Sequence, residues 1–198
     1  MIDSSRHYLP LEVIKKTIDA LMFNKMNILH WHVIDQDSFP LFIPAMPELS
    51  HYGQIGGTYS MDEVVELTEY AKSRGVRMVV ELDTPAHTHS WGRTPPFQAS
   101  VVNCNNIYTG QFDPTLDQTY DLVYHVMNYA NILFDDPYIH FGGDETSDSC
   151  WDLKPSIKNW MGTHNISSYK ELSSYYRNRQ KSVWRNISKT KKAIYWAN

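Results

Sequence analysis

Short apolar runs alternate with longer amphipathic stripes along this chain, and that alternation most narrows what it can fold into. Ile28 to Val33, Val76 to Leu82, Tyr138 to Phe141 and Ala193 to Trp196 read as strands, with Met1 to Asp3 as the stub of an earlier one. Between them run apolar residues at spacings of three and four, which mark one face of a helix. Leu11, Ile14, Ile18, Leu21 and Met22 form the first stripe, and Val64, Leu67 and Ala71 the second. Leu122, Val126, Met127, Ala130 and Leu133 form the third, and Leu172, Tyr176, Val183 and Ile187 the fourth, in a helix of about Tyr169 to Ser188. Punctuation agrees with the pattern. Leu9-Pro10 opens the first helix, with Pro in the first turn where its missing donor costs nothing. Ser60-Met61-Asp62-Glu63 matches a capping box, Gly75 stops the helix behind it, and Asp135-Asp136-Pro137 breaks the third helix. From Asp83 to about Pro114 the sequence is rich in Pro, Asn and Gly and reads as a long loop.

Strands that alternate with helices imply a parallel sheet. The distinctive polar residues all follow strands: His30, His32 and Asp35; Asp83 and His87; Asp144 and Glu145; Trp196. That is the carboxyl edge, where both a barrel and a doubly wound sheet place their sites. No glycine-rich phosphate fingerprint is present, which favours an α/β (β/α)8 TIM barrel. The strands fall short of the number that closes such a barrel. Residues 1–198 are therefore expected to be a partial catalytic barrel domain, about the first half plus the start of strand five. Both edges of that sheet would expose unpaired backbone.

A formal charge of −4 argues against a nucleic-acid partner, which requires a basic face. The cluster from Lys189 to Lys192 reads as a solvated loop. No apolar run reaches the roughly 18–20 residues that span a membrane, and no signal segment is seen at Met1. Six Trp, thirteen Tyr and seven Phe are a heavy aromatic load; most serve as core, and some could stack on sugar faces. Cys104 and Cys150 lie in polar, loop-like stretches, and Asn165-Ile166-Ser167 and Asn186-Ile187-Ser188 are glycosylation sequons. An even cysteine count with two sequons points to an oxidising compartment and one disulfide.

The densest chemistry lies in His140-Phe141-Gly142-Gly143-Asp144-Glu145. Two glycines let the backbone turn sharply and approach a ligand. Adjacent carboxylates repel, so a site must gain from keeping them; a surface acidic pair is the bland alternative. Neighbouring residues have Cα atoms only about 3.8 Å apart, too close for an acid and a nucleophile flanking one bond. An acid with an orienting partner fits better, the nucleophile coming from elsewhere, such as a substrate acetamido group. His30-Trp31-His32 with Asp35 could bind metal, support the carboxyls by hydrogen bonds, or simply pack. Asp83-Thr84-Pro85-Ala86-His87 reads either as a capped turn with a core histidine or as presenting His87 to pair with Asp35 and adjust Glu145. Arg6, beside His7, could fork onto sugar hydroxyls or make a surface ion pair.

These stretches resemble the β-N-acetylhexosaminidases of glycoside hydrolase family 20, especially the eukaryotic lysosomal type. Four motifs occur in the family's order: Asp3-Ser4-Ser5-Arg6-His7-Tyr8-Leu9-Pro10; Leu29-His30-Trp31-His32-Val33-Ile34-Asp35 with Ser38-Phe39-Pro40; Asp83-Thr84-Pro85-Ala86-His87-Thr88 with Ser90-Trp91-Gly92; and His140 to Glu145. The resemblance implies a (β/α)8 barrel that removes terminal β-linked GlcNAc or GalNAc from glycoconjugates or chitooligosaccharides. It also implies a retaining, substrate-assisted mechanism with no cofactor and no metal. Carried residue by residue, it makes Glu145 the general acid and base, Asp144 the partner of the acetamido N–H, and Asp35 and His87 supports of Glu145. Arg6 and Trp196 would bind the sugar, and Cys104 would pair with Cys150. The chain departs from the family at Gln36, commonly Asp; at Ala86, commonly Gly; and at His89, commonly Leu. Ala86 could perturb the turn that presents His87.

The family's upstream α/β domain and later barrel strands are absent from this chain, so the segment alone is expected to have little or no activity. A lysosomal or secreted location and an association of like chains are implied for the longer protein. Two other classes of function answer to the same residues: a metal-dependent amidohydrolase-like barrel using His30 and His32, and a non-catalytic sugar-binding paralogue.

Overall fold

Apolar strands and one-sided helices can bury their faces only against each other, and the chain does so in a single repeating βα pattern. A computed structural model describes residues 1–104 and 109–197. Strand β1 (Ile2–Asp3) leads into helix α1 (Leu11–Phe23) and strand β2 (Ile28–Ile34). Helices α2 (Pro47–Gly53) and α3 (Met61–Ser73) precede strand β3 (Arg77–Leu82). After β3 come helix α4 (His89–Gly92), a 3-10 helix (Pro95–Ser100) and a hairpin of β4 (Val101–Asn103) and β5 (Gly110–Phe112). Helix α5 (Asp117–Leu133), strand β6 (Tyr138–His140), helices α6 (Asp148–Asp152), α7 (Pro155–Thr163) and α8 (Tyr169–Ile187), and strand β7 (Lys192–Ile194) complete the order.

The main sheet is parallel with order β1-β2-β3-β6-β7, which is chain order without reversal. A doubly wound sheet reverses at a switch point, whereas a barrel does not. The expected incomplete (β/α)8 barrel is therefore the architecture found. Fully buried Trp31, Val33, Val80 and Leu82 from the strands, with Phe141 just past β6, pack with Ile14, Ile18, Val64, Leu67, Leu122 and Val126 from the helices. Burial of this kind contributes about 1.5–3 kcal/mol for each large side chain. The capping box forms as read: Ser60 Oγ accepts from the Glu63 amide, and Glu63 Oε2 accepts from the Ser60 amide at 2.7 Å.

Several readings need correction. Pro10 is the N-cap of α1, one residue before its first turn, and Met22 lies on the solvent side at 37% exposure. The stretch after Asp83 is not a bare loop: Trp91 and Phe112 are buried edge-on at 5.2 Å, which secures α4 and the hairpin by tertiary packing. Cys150 lies in α6, not a loop, within a second small core of Val102, Trp151, Ile157, Met161 and Leu172. Lys191 is only partly solvated. Its Nζ donates to the Asn131 carbonyl at 2.7 Å and to that of Phe134, satisfying orphan carbonyls at the end of α5. Asp136, in the breaker, is buried and receives two bonds from Arg77, at 2.8 and 2.9 Å.

Candidate active site

Register builds the site. Asp3, His32, Glu81, His140 and Ile194 are successive partners across the sheet. Side chains alternate along a strand, so residues two apart share a face. His30, Asp83, Gly142 and Trp196 therefore stand two residues from that row, below or above it. The row explains why imidazoles and carboxylates meet in the interior of a sheet that is otherwise apolar.

Asp35, just beyond β2, is fully buried and heavily engaged. Its Oδ2 lies 2.6 Å from His32 Nε2 and 3.0 Å from Arg6 Nη2, and its Oδ1 accepts from the Gln36 amide. Burial alone would push Asp35 up, but His32 and His87 outweigh it and hold the carboxyl down at about 2. His87 Nδ1 lies 3.3 Å from Asp35 Oδ1, and its Nε2 lies 3.3 Å from Glu145 Oε2. These are ionic contacts whose angles are off the line of a hydrogen bond. Burial would lower the proton affinity of His87, and Asp35 and Asp83 reverse that, raising it to about 9. His87 and Glu145 both have positive φ, +60° and +51°, a sparsely populated region for side-chain-bearing residues that tends to cluster at functional sites. Ala86 is outside that region, so the turn does not need a glycine there.

Asp83 ends β3 and is buried. Its Oδ1 accepts from the Gly143 amide at 3.0 Å. Burial is the main cause that raises its carboxyl to about 8. Gly142, at φ +60°, is needed for close approach: an added Cβ would lie 1.7 Å from Asp83 Oδ1. The double glycine therefore seats the strand-six turn on Asp83 and aims the next two residues outward. Glu145 points to solvent with 76% of its side chain exposed. Asp144 is partly buried, and its Oδ1 is shielded from solvent with no hydrogen-bond partner among the described residues. A cleft of about 160 Å³ opens beside His87 and Glu145, lined also by Gln36, Ala86, Gln111 and Ser147.

Arg6 follows β1 and binds Asp3 at 2.7 Å and Asp37 at 3.6 Å as well as Asp35. It is half-exposed, so part of its guanidinium stays open to solvent beside Asp35. Trp196, just past β7, donates from Nε1 to Glu81 Oε1 at 2.8 Å and lies against the His140 ring at 4.6 Å. Cys104 and Cys150 are joined, tying the loop after β4 to α6 beside the cleft. Asn165 and Asn186 are exposed and lie away from these groups, on the turn after α7 and at the end of α8.

The residue missed in the sequence is Glu81. It is fully buried, with Oε2 at 2.5 Å from His30 Nε2 and 3.1 Å from His32 Nδ1, and Oε1 at 3.2 Å from His140 Nδ1. Burial would raise its carboxyl; His140, His30 and His32 more than reverse this and hold it far below the usual range. Its one signal is a charge within Met78-Val79-Val80-Glu81-Leu82, an apolar strand where only a partnered carboxylate can be buried. His30 and His32 do share a face, as read. They meet Glu81, and the His30, Glu81 and His140 donor atoms lie within 4.8 Å of one another, but each is already spent on a bond inside this network.

Parallel strands in chain order, with carboxylates and imidazoles gathered at their carboxyl ends, define a catalytic domain of the (β/α)8 barrel class. The chain belongs to one family of that class: the family described as "Glycosyl hydrolase family 20, catalytic domain" matches residues 1–198. The beta-hexosaminidase subunit beta of Mus musculus is 38% identical over 205 aligned positions, covering 99% of this chain and 37% of the relative. The subunit beta of Homo sapiens is also 38% identical, with 99% and 36% covered. A chitobiase structure from Flavobacterium johnsoniae superposes with a TM-score of 0.88 at 29% identity, over 99% of this chain and 30% of that one. The chain thus spans 36–37% of the length of these curated relatives.

Proposed function

We propose that the protein containing this chain hydrolyses terminal, non-reducing β-linked N-acetylhexosamine, GlcNAc or GalNAc, from glycoconjugates or chitooligosaccharides. The observation that carries the reading is Asp144 Oδ1, a buried acceptor without a donor among the described residues, beside an exposed Glu145. A buried, unpaired carboxylate oxygen costs free energy unless a ligand donor reaches it. The N–H of a 2-acetamido group is such a donor, and binding it turns the amide carbonyl oxygen toward C1.

In the first step that oxygen attacks C1 as the glycosidic C1–O bond breaks, and Glu145 gives its proton to the departing oxygen. The product is an oxazolinium-like ring on the sugar, with its positive charge facing Asp144. In the second step water attacks C1 and gives a proton to the Glu145 carboxylate, and the ring reopens to the amide. Two inversions at C1 give net retention. His87, backed by Asp35, stands behind Glu145 and adjusts its proton affinity. Arg6 would fork onto hydroxyls of the terminal sugar, and Trp196 would pack on the acetamido group. The remaining strands of the barrel and an upstream α/β domain would come from the rest of the longer protein. The disulfide and the exposed Asn165 and Asn186 sequons suit a lysosomal or secreted protein, and relatives named as subunits alpha and beta suit association with a like or related chain.

The test is Glu145→Gln in the full-length protein on a chromogenic β-GlcNAc. Loss of a positioned general acid costs roughly 10²–10⁴-fold in rate. Wild-type cleavage with an equally fast variant would remove Glu145 from the mechanism. Wild-type binding without cleavage would make the protein a sugar-binding one instead.

A further inference from the structure

Glu81 does not line the cleft, yet it is fully buried and its two oxygens meet four side chains, His30, His32, His140 and Trp196. Its two oxygens serve two directions. Oε1 accepts the indole N–H of Trp196 at 2.8 Å, and Oε2 accepts from His30 at 2.5 Å and faces His32 Nδ1 at 3.1 Å. The other ring nitrogen of His32 lies 2.6 Å from Asp35 Oδ2. A neutral imidazole carries one N–H and would turn a lone pair toward one of these carboxylates. With a carboxylate on each nitrogen, His32 is an imidazolium fixed between Glu81 and Asp35. A continuous alternation of acid and base results: Glu81, His32, Asp35, His87 and Glu145, with successive separations of 3.1, 2.6, 3.3 and 3.3 Å.

We propose that Glu81 is a positioning residue for this site, setting Trp196 on one side and, through His32 and Asp35, the His87–Glu145 pair on the other. This rests on the roles given above to Glu145 and Trp196. One strand residue thereby couples the wall that would hold the acetamido group to the acid that would protonate the leaving oxygen. The other charged and titratable groups facing the network are His30, His140, Asp83 and Asp144, with Arg6 and Asp37 at its outer end beside Asp35. None of them bonds both Trp196 and His32.

Two substitutions separate charge from reach, measured in the full-length protein on a chromogenic β-GlcNAc across pH. Glu81→Gln keeps the shape and an acceptor for Trp196 but removes a negative charge. Loss of that charge makes Glu145 a stronger acid, so the basic limb of kcat/KM moves to lower pH by roughly half to one unit. Glu81→Asp keeps the charge but falls short of Trp196. It leaves the limb in place and raises KM roughly tenfold, the low end for one lost hydrogen bond to a charged acceptor. If both variants scale kcat equally at every pH and leave KM alone, Glu81 is merely structural and the proposal falls. Should neither variant fold, Trp196→Phe removes the indole N–H donor together with part of the ring surface. It should raise KM roughly tenfold or more, and a wild-type KM overturns the coupling. A wild type that fails to cleave β-GlcNAc defeats the roles given to Glu145 and Trp196. A cleaving wild type with an unmoved limb and KM defeats only the role of Glu81.

Discussion

Replacing Gly142 with Ala tests how the site is built, because three glycines of the chain offer a graded series. At Gly142 the new Cβ would lie 1.7 Å from Asp83 Oδ1 and 2.8 Å from Asp83 Cα. The carboxylate cannot swing aside cheaply, since it is buried and holds the Gly143 amide at 3.0 Å. The φ of +60° adds strain of about 1–2 kcal/mol for a residue with a Cβ. Breaking the Gly143 bond and leaving a buried acceptor short adds about 1–3 kcal/mol. The sum is about 2–5 kcal/mol, or a Tm lower by roughly 5–20 °C for a domain of this size. The turn also carries Asp144 and Glu145, and a misplacement of about 1 Å can cost on the order of 10²-fold in rate. Gly75 has φ +69° with nothing within 4 Å of an added Cβ, so Gly75→Ala should show the strain alone, about 1 kcal/mol. Gly162 in α7 has neither positive φ nor a neighbour within 4 Å, and Gly162→Ala should be neutral or slightly stabilising. Thermal unfolding and steady-state kinetics of the three variants in the full-length protein read the series. A Gly142→Ala variant as stable and active as the other two would refute the idea that Asp83 seats the turn.

Two further outcomes are expected. Replacing both Cys104 and Cys150 by Ser opens a loop with a sequence separation of 46, which in the chain-entropy view costs about 4 kcal/mol; denaturant unfolding of the double variant against wild type measures it. Stability should peak at mildly acidic pH. Asp35, depressed to about 2, stabilises above its unfolded value of 3.8, and that contribution is lost as pH falls through 2. Asp83, raised to about 8, and His32, raised to about 10, stabilise fully below 3.8 and 6.5 and lose that contribution as pH rises through 8 and 10. Tm measured from pH 3 to 10 (roughly the span of these shifts) should therefore fall on the alkaline side above about pH 7; a Tm that climbs steadily to pH 10 would contradict the assignments.

The strands and long helices were legible because their stabilisation is one-sided burial, and one-sided burial leaves a period in the sequence. Ile14 and Ile18 on α1, or Val64, Leu67 and Ala71 on α3, show the period and the burial together. The short elements between Asp83 and Pro114 left no period. A four-residue helix and three-residue strands are held by Trp91, Phe112 and the Cys104–Cys150 bond, contacts between residues far apart in the chain. The same holds for α6, which rests on Trp151 and Cys150. Asp35, His87, Asp144 and Glu145 could be read because each follows a strand next to turn-forming residues. Glu81 and Lys191 could not. Each looks ordinary in sequence, and each matters through partners brought by register or by the end of a neighbouring helix.

The most direct test of the substrate's own amide as nucleophile compares two chromogenic β-glycosides on the full-length protein, alike except that one carries a 2-acetamido group and the other a 2-hydroxyl. A rate on the first exceeding that on the second by several orders of magnitude, and collapsing in Asp144→Asn, is the expected result. Equal rates on the two sugars would contradict it.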